Sequence, residues 1–131
     1  MIFLDTSAIY AWADIRDANH KFAVRRLQHI LDAREELLTH NYVLVEVISL
    51  LQARLGVSAA AKLEKDSALF EIEWIDRDLH AAGVKEWQKS GRRRVSLVDH
   101  FSFLVMKRRN VTMAFAFDPH FKNEGFQLVG D

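Results

Sequence analysis

The chain has 131 residues, half of them hydrophobic and 27% charged, enough for one folded domain with its own core and too few for two ordinary ones. Its 18 Lys and Arg balance 18 Asp and Glu. That excludes a protein that holds polyanions by bulk charge, though not one with acids in a pocket and bases around its rim. Cysteine is absent, which removes disulfides and thiolate chemistry and agrees with a reducing compartment. No segment has the pattern of a signal peptide or a membrane span, so a soluble, cytoplasmic protein is expected.

The first element is "IFL" before Asp5, a short strand apolar on both faces, as strands of parallel sheets are. Thr6 or Ser7 is expected to cap a helix through "AIYAWA". A second helix is expected from about Asp17 to Ala33, with Phe22, Leu27, Ile30 and Leu31 at helical spacing. "ELLTH" reads as a strand. Asn41 is expected to cap a long helix through "YVLVEVISLLQARL", stopped by Gly56.

Ser58 is placed as the cap of a helix over "AAAKLEKDSAL". "FEIEWI" alternates as a strand does, and "LHAAGVKEWQKS" reads as a helix ending at Gly91. After the "GRRR" loop, Ser96 starts a helix through "LVDHFSFLVMKRR"; "VTMAFAF" is a strand ending at Asp118-Pro119, and "FQLV" a last one. Strands alternating with helices predict a single α/β domain over residues 1–131, a central, mainly parallel sheet with helices on both faces.

Function in such sheets collects beyond the carboxyl ends of the strands. Asp5 and Asp118 end two strands, and they converge if those strands are parallel neighbours. Each is equally explained as a cap of the turn that follows it. Glu46 lies on a helix so apolar that its charge needs a partner or a cleft, unless its narrow polar face is simply solvated. Asp99 stands three residues after Ser96 in the spacing of a capping box, which accounts for it without any function. Together the four would form a hard-oxygen site suited to Mg²⁺ or Mn²⁺, because clustered carboxylates repel one another until a cation neutralises them. The six histidines show no H-x-x-x-H spacing, and His100 and His120 are read as peripheral to this cluster.

The segments "FLDTSAIYAW", "NYVLVEVISLLQARLG", "GRRRVSLVDHFSFLVM" and "AFAFDPHF" together resemble the PIN-domain family, in particular its VapC-type ribonuclease toxins of bacterial toxin–antitoxin pairs. Order, separation and context carry the resemblance more than any one motif does. It implies a PIN-like domain in which Asp5, Glu46, Asp99 and Asp118 are the catalytic acids and hold one or two divalent ions. Thr6 or Ser7 would steady the cluster and Ser96 would support it. The resemblance further implies an RNA substrate cut to a 5′-phosphate and a 3′-hydroxyl, a cognate antitoxin that holds the toxin inactive, and a homodimer. Some relatives carry a further acid two residues after the position of Asp118, where this chain has His120.

Of the basic clusters, Arg92, Arg93 and Arg94 lie just upstream of Asp99 and suit backbone phosphates, or else form a solvated loop. Two other classes compete. One is a metal-dependent phosphoryl-transfer domain, weakened by Ser7 where phosphatases of that kind carry a second Asp and by the lack of a receiver-type Lys near the last strand. The other is a non-catalytic RNA- or protein-binding module, which an incomplete acidic set would favour.

Overall fold

Ile2, Phe3 and Leu4 are all buried, as a strand covered on both faces requires. A computed structural model of the chain describes residues 1–130; Asp131, the last residue of the expected domain, lies outside them. Strands β1 (Ile2–Leu4), β2 (Leu37–His40), β3 (Glu71–Glu73), β4 (Met113–Phe115) and β5 (Gln127–Leu128) form one sheet in the order β3-β2-β1-β4-β5. Every pairing is parallel, with Phe3 opposite Leu38 on one side and opposite Ala114 on the other. The parallel α/β architecture expected from the sequence is present. Central β2 is buried along its whole length, whereas edge strand β3 exposes Glu71. Arg109 pairs with Glu71 and Glu73 at 2.8 and 3.1 Å, leaving that edge charged and unsuited to further pairing.

The helices are α1 (Thr6–Ala13), α2 (His20–Asp32), α3 (Asn41–Leu55), α4 (Val57–Asp66), α5 (Arg77–Ser90), α6 (Leu97–Arg108) and the short α7 (His120–Asn123). From β1 to β2 to β3 the chain steps one way; from β3 it returns across the sheet to β4 and β5. Right-handed crossovers therefore put α1–α4 on one face and α5–α7 on the other. In α6 the residues Phe101, Phe103, Val105 and Met106 are all buried, so this helix is central, as its all-round apolar sequence predicts.

Several caps differ from expectation. Asp5 itself, not Thr6 or Ser7, caps α1: its carboxylate accepts the Ser7 N–H at 3.2 Å. His40 caps α3 through Nδ1, which accepts the Val43 N–H, while Asn41 accepts the Ile75 N–H at 2.7 Å instead. α4 starts at Val57 behind Gly56, so Ser58 is not its cap, and "SAL" at its end tightens into a 3₁₀ turn. Only Met113–Phe115 of "VTMAFAF" pairs as strand, and α7 follows Pro119, where no helix is expected from the sequence. Trp12 packs against Phe70, whereas Trp74 and Trp87 are exposed.

Candidate active site

The order of the sheet creates one switch point, between β1 and β4, where the chain leaves adjacent strands towards opposite faces. Asp5 follows β1 directly and Asp118 lies three residues past β4. The two acids are thus delivered to the same end of neighbouring strands. α3 brings Glu46 and the first turn of α6 brings Asp99; all four carboxylates line one cleft of about 310 Å³ together with Thr6 and Ser7.

Asp5 is the most deeply placed, 3% exposed. Ser7 Oγ donates to its Oδ2 at 2.6 Å and accepts the Phe117 N–H at 3.0 Å, so one hydroxyl ties the Asp5 carboxylate to the segment leaving β4. Burial pushes the Asp5 carboxyl up to about 7; the negative charges of Asp118 and Asp99 add to this and the two hydrogen bonds from Ser7 oppose it. Glu46 is half-buried and is also raised, by burial first and by Asp99. Thr6 Oγ1 is buried and makes no hydrogen bond of good geometry among the described residues; its hydroxyl lies near enough to Glu46 to favour the charged form of that carboxyl.

Asp99 is 8% exposed. Its N–H donates to Ser96 Oγ at 3.0 Å, the cap expected of Ser96, but its carboxylate does not turn back to close the box. Instead Oδ2 stands 2.8 Å from His120 Nδ1, and the His120 N–H donates to Asp118 Oδ1 at 2.9 Å. His120 is therefore not peripheral: Pro119 and the turn into α7 bend it back over the carboxylates. His100 is peripheral, with its ring against Ser90 Oγ and Phe103. Arg54, which the motifs do not single out, lines the cleft two turns beyond Glu46. A signal for it exists in the sequence, since Glu46, Leu50 and Arg54 follow at intervals of four on α3.

The arginine loop is not part of this cleft. Arg92 is held by Glu124 at 2.8 Å and by Ser90, which leaves it a structural role. Arg93 and Arg94 are exposed. They line a separate hollow of about 540 Å³ that has His120 and Pro119 on its other wall. His120 thus stands between the carboxylates and the arginines.

The donor set suits a hard divalent ion. It is made mainly of carboxylate oxygens, those of Asp5 and Asp99 buried and those of Glu46 and Asp118 half-buried, with His120 beside them, and the buried Thr6 Oγ1 adds a group able to bond a water ligand of that ion.

The PIN domain family model matches residues 2–126. The chain is 33% identical to the 23S rRNA-specific endonuclease VapC20 of Mycobacterium tuberculosis, in strains CDC 1551 and H37Rv, over 98% of each chain. The crystal structure of Mycobacterium tuberculosis VapC20, described as a sarcin–ricin loop cleaving toxin, superposes with a TM-score of 0.84 at 31% identity over 96% of both chains. With a parallel sheet in matching topology and an acidic cleft at its switch point, the chain belongs to the PIN-domain family, of the VapC type.

Proposed function

We propose that this protein is a divalent-metal-dependent endoribonuclease and the toxin of a toxin–antitoxin pair. The observation that carries the reading is the meeting of four carboxylates, from four separate parts of the chain, in one cleft. Asp5, Glu46, Asp99 and Asp118 are the residues that would hold Mg²⁺ or Mn²⁺, and they form the catalytic set. When bound, such an ion supplies Lewis acidity, lowering the pKa of water and offsetting charge on the phosphate.

The protein's own groups set the stage for that chemistry. Ser7 fixes the rotamer of Asp5 through Oδ2. Ser96 holds the turn that presents Asp99, and the buried α6 behind it keeps the carboxylate from drifting. Arg93 and Arg94, which share a hollow with His120, would take backbone phosphates of an RNA that enters over α7. Arg54 supplies a cation on the wall formed by α3.

The target named for the relatives makes the sarcin–ricin loop of 23S rRNA the first substrate to present. A cognate antitoxin, assembly as a homodimer, cytoplasmic location and a single domain over residues 1–131 complete the reading. Among the described residues no helix is long and apolar enough to cross a membrane.

The test is cleavage of that RNA by purified, antitoxin-free protein with Mg²⁺ or Mn²⁺, beside EDTA and Asp99→Asn. Asn still accepts hydrogen bonds and leaves the Ser96 cap untouched, so folding should persist. Metal-dependent cleavage, lost in EDTA and in the variant, is expected. No cleavage of any RNA, together with no metal binding, would replace the enzyme by a binding module.

A further inference from the structure

Among the described residues, His120 supplies the nitrogen donor drawn into the proposed cluster. Its Nδ1 lies 2.8 Å from Asp99 Oδ2 and 3.7 Å from Asp118 Oδ1. The backbone holds it there, because the His120 N–H is bonded to Asp118 Oδ1 and Phe121, next in the chain, is completely buried. One ligand atom from each of Asp99, Asp118 and His120 lies within 4.8 Å of the other two. Ligands with bonds of about 2.1 Å stand about 3 Å apart when adjacent and about 4.2 Å apart when opposite. The two distances from Nδ1, 2.8 and 3.7 Å, fall within that span, and the third pair, within 4.8 Å, needs at most a small inward shift to share one ion. Thr6, whose Oγ1 is buried, lines the same cleft as the two aspartates.

Resting on the reading of the cleft as a metal-dependent nuclease site, we infer that His120 is itself a metal ligand through Nδ1, and that the resulting mixed nitrogen–oxygen set binds Mn²⁺ in preference to Mg²⁺. Mg²⁺ takes oxygen ligands and keeps its waters, whereas an imidazole nitrogen is a borderline donor that suits first-row transition ions. The carboxylates serve both ions, so the imidazole is what separates them. An ion bound by both groups takes the place of the direct contact between Nδ1 and Oδ2. Neither His40, bonded to Ser102, nor His100, beside Ser90, is free to take this place.

The experiment uses the full chain stripped of metal, titrated calorimetrically with MnCl₂ and with MgCl₂, and pulsed electron paramagnetic resonance of the Mn²⁺-loaded protein. Wild type, His120→Asp and His120→Gln are compared. The wild-type chain is expected to bind Mn²⁺ at least about tenfold more tightly than Mg²⁺ and to show nitrogen coupling to the ion. In His120→Asp the coupling disappears and the preference shrinks severalfold. His120→Gln gives the same loss of coupling should the Asp variant not fold. Mn²⁺ bound without nitrogen coupling, or a preference unchanged by either substitution, overturns the inference and leaves the carboxylate site standing. If neither ion binds wild type, the nuclease reading fails, and the inference with it.

Discussion

Asp5 carries two duties that conflict. As the cap of α1 it completes a hydrogen-bonding turn, yet as a buried carboxylate beside Asp99 and Asp118 its charge is costly without a cation. Its carboxyl, pushed up to about 7, keeps a proton that the unfolded chain releases near 4. The folded state holds the extra proton between those values, so this group's contribution to stability falls as pH rises from about 4 to about 7. Asp5→Asn keeps the cap and removes the charge. In metal-free buffer at pH 8 the variant should be more stable than wild type by on the order of 2 kcal/mol, read from urea midpoints, while RNA cleavage is lost. A variant less stable than wild type would mean that Asp5 is not strained in the free site. His120 shows what sequence alone hides at this scale. Its distance from Asp99 is set by the bend over residues 117–119, and no local pattern reports which way such a bend turns.

At the scale of elements, α6 organises the molecule: it bears Asp99, and β2, α3 and α5 are tied to it. Gly83 lets α5 lie directly on the Phe101 ring, which a methyl group at that position would overlap. Helix propensity favours Gly83→Ala by about 1 kcal/mol, but overpacking a buried ring costs about 1–3 kcal/mol. Net destabilisation, seen as a lower denaturant midpoint, is therefore expected. A gain in stability would show that the two helices can separate freely.

His40 makes the second tie. Its Nε2–H donates to Ser102 Oγ at 2.9 Å and Nδ1 accepts the Val43 N–H, joining the start of α3 to α6 through a neutral ring. Burial pushes its pKa down to about 3. The unfolded chain takes up a proton near 6.5 that the folded chain refuses, so stability falls as pH falls from 6.5 towards 3. Between about 4 and 6.5 this slope opposes that of Asp5, and wild type should show little dependence from the pair. The Asp5→Asn chain unmasks His40, with a stability that drops on acidification from about pH 6.5 to about pH 5 by on the order of 1–2 kcal/mol, read from urea midpoints. A flat profile in that variant would mean that the ring is protonated in the fold. The elements themselves are legible in the sequence, because apolar period and capping chemistry are local. Their caps are less so: Asp5 and His40 take the places expected of Thr6, Ser7 and Asn41, as a side chain that bonds across the fold can outbid the usual capping residue.

For the whole molecule, zero net charge conceals segregation. Carboxylates fill one cleft, and Arg93 and Arg94 stand exposed on the far side of His120. Replacing both by Gln should raise KM for RNA while leaving kcat nearly unchanged. It should also reduce the salt slope of RNA binding by about one for each phosphate that an arginine no longer neutralises. An unchanged slope would assign the loop to solvation alone. The sequence by itself determined a parallel α/β domain, the strand end that carries Asp5, and the helices that carry Glu46 and Asp99, since each follows from short-range periodicity and from what ends a strand or starts a helix; it ran the strand on to Asp118, which the structure sets three residues past β4. Only the tertiary structure decided that β1 and β4 are neighbours, that Arg92 belongs to Glu124, and that His120 faces the acids. Those outcomes depend on residues tens of positions apart competing for the same space and the same hydrogen bonds, and no local pattern in the chain encodes which of them meet.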